Sequence, residues 1–228
     1  MTRNTEEFIR SLGANLVPVR PLRRPWIRAA IWLAFSLPYL AVMVFVMTPR
    51  NDLLSKLSDT RFVVEQIAAL TTGIVAAAAA FAMVVPGYTR KLLMVLLFPA
   101  AIWLGSLSRG CLLDWSQRGV GGLSLRSDWM CLPAIILMGA IPAVAMAIML
   151  RRGAPLAPRL TTALGGMAAA GIGDFGLRLV HPEDASVMVL VWQFGAVCAL
   201  SIIAGWAGRY LLNWGATADR SNRRIAVG

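Results

Sequence analysis

The sequence predicts an all-α, polytopic membrane protein: a bundle of six transmembrane helices, preceded by a short amphipathic helix on the cytoplasmic side. Three observations carry this prediction. Of the 228 residues, 58% are hydrophobic and only 14% charged, with a mean hydropathy of +0.68. A soluble domain carries about a quarter charged residues, because its surface must be covered with polar groups. Six separate runs are apolar over most of the ~20 residues that a helix needs to cross a bilayer. Finally, no stretch alternates in the manner of a barrel strand, and in lipid a helix satisfies its backbone polar groups within its own segment.

The chain divides into a tail and neck (residues 1–26), the six-helix membrane domain (27–214) and a C-terminal tail (215–228). In the first, Asn4 suits an N-cap, and Glu7 stands three residues on, as in a capping box. Glu6 and Arg10 are spaced as an i,i+4 pair. Phe8, Ile9, Leu12 and Leu16 share one helical face. Gly13 costs about 1 kcal/mol of helix propensity, and a helix this short is marginal alone in water. It becomes stable when its apolar face meets a surface. Pro18, Pro21 and Pro25 keep it from continuing into the first span, and Trp26 suits the headgroup level. The bilayer and a groove on a cytoplasmic partner both accept such a face. Glu6 and Glu7 weigh mildly against anionic lipid.

The spans follow in order. The first is Ile27–Thr48, the second Phe62–Val85 and the third Leu92–Leu107, with room to extend to Leu113. The fourth is Trp129–Leu150, the fifth Leu160–Val180, and the sixth runs from Ser186 to Trp206 or on to Trp214. Pro38, Pro99 and Pro142 lie inside spans and should kink them. The fifth span contains G-G-M-A-A-A-G-I-G, with Ala169 and Gly173 four apart, a spacing that lets helix backbones approach closely. It serves packing inside the bundle, or else a homodimer face. Asp174 and Arg178 lie four apart on the same span near its end and are expected to neutralise each other.

With six spans, both termini lie on one side. That side collects fifteen basic residues against three acids, and the other seven against eight. Lys and Arg accumulate in cytoplasmic loops, so both termini are expected in the cytoplasm. The same asymmetry accounts for the net charge of +11 without nucleic acid, for which the chain has no basic soluble domain. The first apolar run carries no cleavage pattern and is long enough to remain a span, so no signal peptide is expected.

Catalytic chemistry is sparse. There is one histidine, His181, and neither H-E-x-x-H, G-x-S-x-G nor a Gly-rich phosphate loop. No enzyme activity and no cofactor are expected. The alternative to a binding protein is a small transporter or channel subunit, against which stand clean mid-span regions and the lack of a clear internal repeat. Three cysteines form no C-x-x-C pair. Cys111 closes the third span, Cys131 opens the fourth and His181 closes the fifth, all toward the periplasmic face. Thiolate and imidazole there are ligands for soft metals, or else two small apolar fillers and a turn residue. Cys198 lies mid-span and is read as packing.

The tail T-E-E-F-I-R-S-L-G-A-N-L-V-P-V-R-P-L, the six short-looped spans and the late H-P-E-D-A-S-V-M-V-L-V-W together resemble the NrsF family, membrane-bound anti-sigma factors described as negative regulators of sigma-F. The resemblance covers essentially the whole chain. It implies that the tail binds an extracytoplasmic-function sigma factor and holds it at the inner membrane, away from RNA polymerase, until a periplasmic metal or oxidative signal releases it. The sigma-binding residues implied are Phe8, Ile9, Leu12 and Leu16, with Arg10 and Arg20 as polar contacts. The family often has a periplasm-facing cysteine at the start of the fourth span, which Cys131 matches. A second cysteine is expected where this chain has His181. That departure excludes a simple disulfide switch at the pair and leaves a Cys131–His181 metal site, or a sensor that uses Cys111.

Overall fold

The computed structural model describes residues 2–14, 22–85, 87, 91–119, 131–153, 155–181 and 186–212. The first helix, α1, is Thr2–Ala14. It starts two residues before the expected cap, so Asn4 lies inside the first turn rather than ahead of it. Shifts of this size are ordinary at a helix end, where few backbone bonds hold the boundary. Glu6 and Arg10 are both exposed and form no ion pair with each other; an exposed i,i+4 pair contributes only about 0.3–0.5 kcal/mol, too little to hold two long side chains in one geometry.

Leu22 to Arg24 are non-helical, and α2 (Pro25–Val46) then begins with proline in its first turn, where a missing N–H costs nothing. A short helix the sequence did not announce, α3 (Leu53–Leu57), precedes α4 (Thr60–Met83). The N-cap of α4 is Asp59, which accepts from the Arg61 N–H. Next comes α5 (Lys91–Arg118), which runs about three turns past Leu107 and more than one past Leu113. Ser106, Ser108 and Arg109 end the hydropathy signal, but nothing there breaks a helix; the turn comes at Gly119, whose φ of +59° suits a residue without Cβ. α6 is Cys131–Leu150 and α7 is Pro158–Val180. The last span is α8 (Ser186–Met188), a π-helical turn (Val189–Phe194) and α9 (Gly195–Leu211) in succession. Among the described residues six helices are long and apolar enough to cross a membrane, and none is a strand.

α7 is the centre of the bundle and packs on α2, α4, α6 and α9. Its glycines make this approach possible. A Cβ on Gly173 would stand 2.6 Å from the Ile135 carbonyl oxygen of α6, and one on Gly166 2.6 Å from the Ala204 Cβ of α9. Gly171 faces the Gly73 backbone of α4. Ala169 is buried as well. The small-residue stripe is therefore taken up inside the bundle rather than presented to a second copy.

α2 is held differently. Three of its side chains donate to backbone carbonyls of α6: Arg28 Nη2 to Met149, Trp32 Nε1 to Pro142 at 2.8 Å, and Tyr39 Oη to Leu137 at 2.7 Å. Arg28 is buried and lies 4.6 Å from the ring centroid of Phe81, at the end of α4. Counted by sequence as a basic residue of the cytoplasmic surface, it is instead a cation packed under the neck. Its acceptor is one of the last carbonyls of α6, which have no partner within their own helix. The other nitrogen, Nη1, is buried without a hydrogen bond.

Candidate functional site

Two places hold the candidate functional groups: α1, at the tail end of the bundle, and a charged cluster at the far end.

On α1, Phe8 and Ile9 are each 62% exposed, and Arg10 is exposed beside them. They form an amphipathic surface outside the core. Leu12 belongs to the same helix, but its side chain, and Leu16 and Arg20 altogether, lie outside the described residues. Such an apolar pair on a 13-residue helix gains most of its stabilisation from whatever covers it.

At the far end Arg178 has a second carboxylate besides Asp174, the partner expected four residues away, and its hydrogen bond goes to that second group. Arg178 Nη2 donates at 2.9 Å to Glu65 Oε2 of α4, not to Asp174. Glu65 Oε1 accepts from Arg61 Nε at 3.0 Å, so one buried carboxylate holds two guanidinium groups. The Ser106 hydroxyl of α5 reaches Glu65 Oε1 at 3.5 Å. Asp174 is buried, and its Oδ1 has no hydrogen-bond partner. The reason is geometric: a four-residue step puts two side chains on one face, but Arg178 has a carboxylate on the facing helix, and reaching across also links α7 to α4.

A third cation joins this cluster. Arg50 grips Asp52 with two bonds, Nε to Oδ1 at 2.6 Å and Nη2 to Oδ2 at 2.8 Å. Its Nη1 donates to the His181 carbonyl at 3.2 Å, and its N–H to Leu179 at 3.1 Å. The guanidinium carbons of Arg50 and Arg178 stand 5.9 and 5.0 Å from the centroid of the Phe62 ring. Cation–π contacts of this kind ease the burial of charges that a bilayer would otherwise exclude. The sequence did offer a signal for the network: Arg61 and Glu65 are an i,i+4 pair at one end of a span, and Arg178 lies at the same end of another.

Of the sensing candidates, His181 is the C-cap of α7, with its N–H bonded to Leu177 at 2.8 Å and its backbone tied to Arg50. Cys111 is a free, half-buried thiol on α5. Cys131 is the first residue of α6, with its side chain outside the described residues. All three belong to the far end, yet among the described residues no three His, Cys, Asp or Glu side chains gather as a metal set. Cys198 lies within α9 and is half-buried.

Comparison with known proteins gives two matches. The family model described as "Negative regulator of sigma F" matches residues 12–214. The chain is also 36% identical over 94 residues to the anti-sigma-F factor NrsF of Caulobacter vibrioides (strain NA1000 / CB15N), a stretch that takes in 41% of this chain and 42% of that protein. The aligned part is thus less than half of that relative's length. No solved structure matches. The family match takes in all six spans of the bundle, and on that extent the chain belongs to the NrsF family of negative regulators of sigma F.

Proposed function

We propose that the chain is a membrane-bound anti-sigma factor that captures an extracytoplasmic-function sigma factor through α1 and holds it at the inner membrane, away from RNA polymerase. The observation that carries this reading is the family match over residues 12–214, joined to a helix on which Phe8 and Ile9 stay mostly exposed. The matched stretch begins inside α1, at residue 12. The charge asymmetry of the loops supports a cytoplasmic tail and C-terminus.

In this reading Phe8, Ile9, Leu12 and Leu16 enter an apolar groove on the sigma factor, with Arg10 and Arg20 at its rim. The helix gains its missing stabilisation there, by folding and binding together. Capture needs no bond chemistry, so the protein works as a binding module and not as an enzyme. Release follows a metal or oxidant signal at the periplasmic end, with Cys131, His181 and Cys111 as the sensing groups.

The test is co-elution of the full-length chain, in detergent, with its sigma factor. Burying an apolar side chain of this size is worth about 1.5–3 kcal/mol, so the double change Phe8→Asp, Ile9→Asp should weaken capture by about a hundredfold or more. Capture at wild-type strength by that variant, present in the membrane at normal level, would remove α1 from the mechanism.

A further inference from the structure

A cavity of about 500 Å³ opens at the far end of the bundle, between the start of α4 and the second half of α5. No role described above uses it. Its polar lining includes Asp59, Arg61, Ser106 and Arg109, and Val64 and Leu113 form part of its wall. Asp59 Oδ1 is occupied by the Arg61 N–H as the cap of α4. Arg61 Nε is held by Glu65, which fixes that guanidinium at the cavity rather than letting it swing into solvent. Arg109 is different. It is exposed, lines the cavity and has no hydrogen bond or ion pair among the described residues.

Two guanidinium groups therefore line one cavity: Arg61, whose charge Glu65 shares, and Arg109, with Asp59 already engaged as a cap. The Ser106 hydroxyl lines it as well, and Val64 and Leu113 are apolar. Guanidinium is the group of choice for planar, multi-toothed recognition of phosphate oxygens, and a cavity walled on one side by apolar groups strengthens each such contact by excluding water. We propose that this cavity is a binding site for a phosphate-class oxyanion, with Arg109 as its principal ligand and Arg61 as the second. The anion comes from the aqueous phase, or it is the phosphate of a lipid headgroup whose chains lie along Val64 and Leu113, which are 39% and 42% exposed. The site does not depend on the anti-sigma reading, since it is measured on the purified protein without a partner.

The experiment follows thermal unfolding of the full-length protein. In detergent, inorganic phosphate is titrated against chloride at equal ionic strength. A second arm compares nanodiscs of phosphatidylcholine with nanodiscs that also contain phosphatidylglycerol. A ligand that binds the folded state raises the unfolding temperature in a saturable way. Arg109→Gln is expected to weaken the apparent affinity about tenfold or more, the effect of losing a charge-assisted hydrogen bond. Arg109→Lys should restore part of it, and Lys91→Gln, an exposed cation at the opposite end, should change nothing. An Arg109-dependent rise in the phosphate arm supports a soluble anion; one confined to the phosphatidylglycerol discs supports a lipid. No rise in either arm, a rise that survives Arg109→Gln, or an equal loss in Lys91→Gln overturns the site.

Discussion

Glu65 and Asp174 are both buried carboxyl groups near the same end of the bundle, yet their surroundings set them apart. Glu65 neutralises Arg178 and Arg61; Asp174 leaves Oδ1 unmatched. Removing one partner of a buried ion pair strands the other charge and costs about 3–5 kcal/mol. Arg61 has a side chain 36% exposed, and water screens its share, so most of that cost belongs to Arg178, only 6% exposed. Glu65→Gln should therefore lower stability by about 3 kcal/mol, measured by thermal unfolding in detergent, while Asp174→Asn should leave it unchanged or raise it. The opposite ranking would mean that Asp174 is Arg178's real counter-ion. That pairing was the natural reading of the sequence, where spacing along one helix is visible and the facing carboxylate is not. Arg61, Glu65 and Arg178 were each visible as charges at span ends; what joins them is tertiary. Likewise Phe8 and Ile9 could be read as an amphipathic face because helical period alone creates it, whereas the burial of Arg28 beneath the neck needed the ends of α4 and α6.

Among the elements, α7 is the one whose composition dictates the packing. Gly173 meets a backbone carbonyl on α6 that cannot yield, while Gly171 faces backbone atoms of α4 at 3.5–3.7 Å, ordinary contact for a methyl group. Gly173→Ala should destabilise by about 1–3 kcal/mol, the usual range for overpacking a tight core, and Gly171→Ala by much less. Thermal unfolding of the two single variants checks the contrast; equal losses would mean that helix flexibility rather than clearance is what the glycines supply. The spans themselves were legible, because apolar length is a property of the chain. Less legible were α3, too short to show a period, and the end of α5, where hydropathy falls while helix geometry continues to Arg118. The π-helical turn at Val189–Phe194 was hidden for another reason: one extra residue in a turn leaves no mark on composition.

Across the whole molecule, the proposed signal enters at one end and the tail hangs from the other. If Cys131 and His181 receive it, Cys131→Ser and His181→Ala should each blunt induction of the sigma factor's target genes by metal or oxidant, without altering capture in unstressed cells. A reporter for those genes reads the effect. Full induction in both variants would leave the two residues as packing groups and move the search to Cys111. This layer of function was the least legible from residue types, since thiol and imidazole at a helix end serve structure as readily as sensing.

The bonds from Arg28, Trp32 and Tyr39 to α6 have a mechanical consequence. α6 begins at Cys131 and ends beside Arg28, a rod of 20 residues and about 30 Å. It is riveted to α2 at three heights, and α2 is the helix from which the neck springs. A displacement at the head of α6 would therefore reach the root of the tail by two routes, directly through α2 and through α7, on which both helices pack.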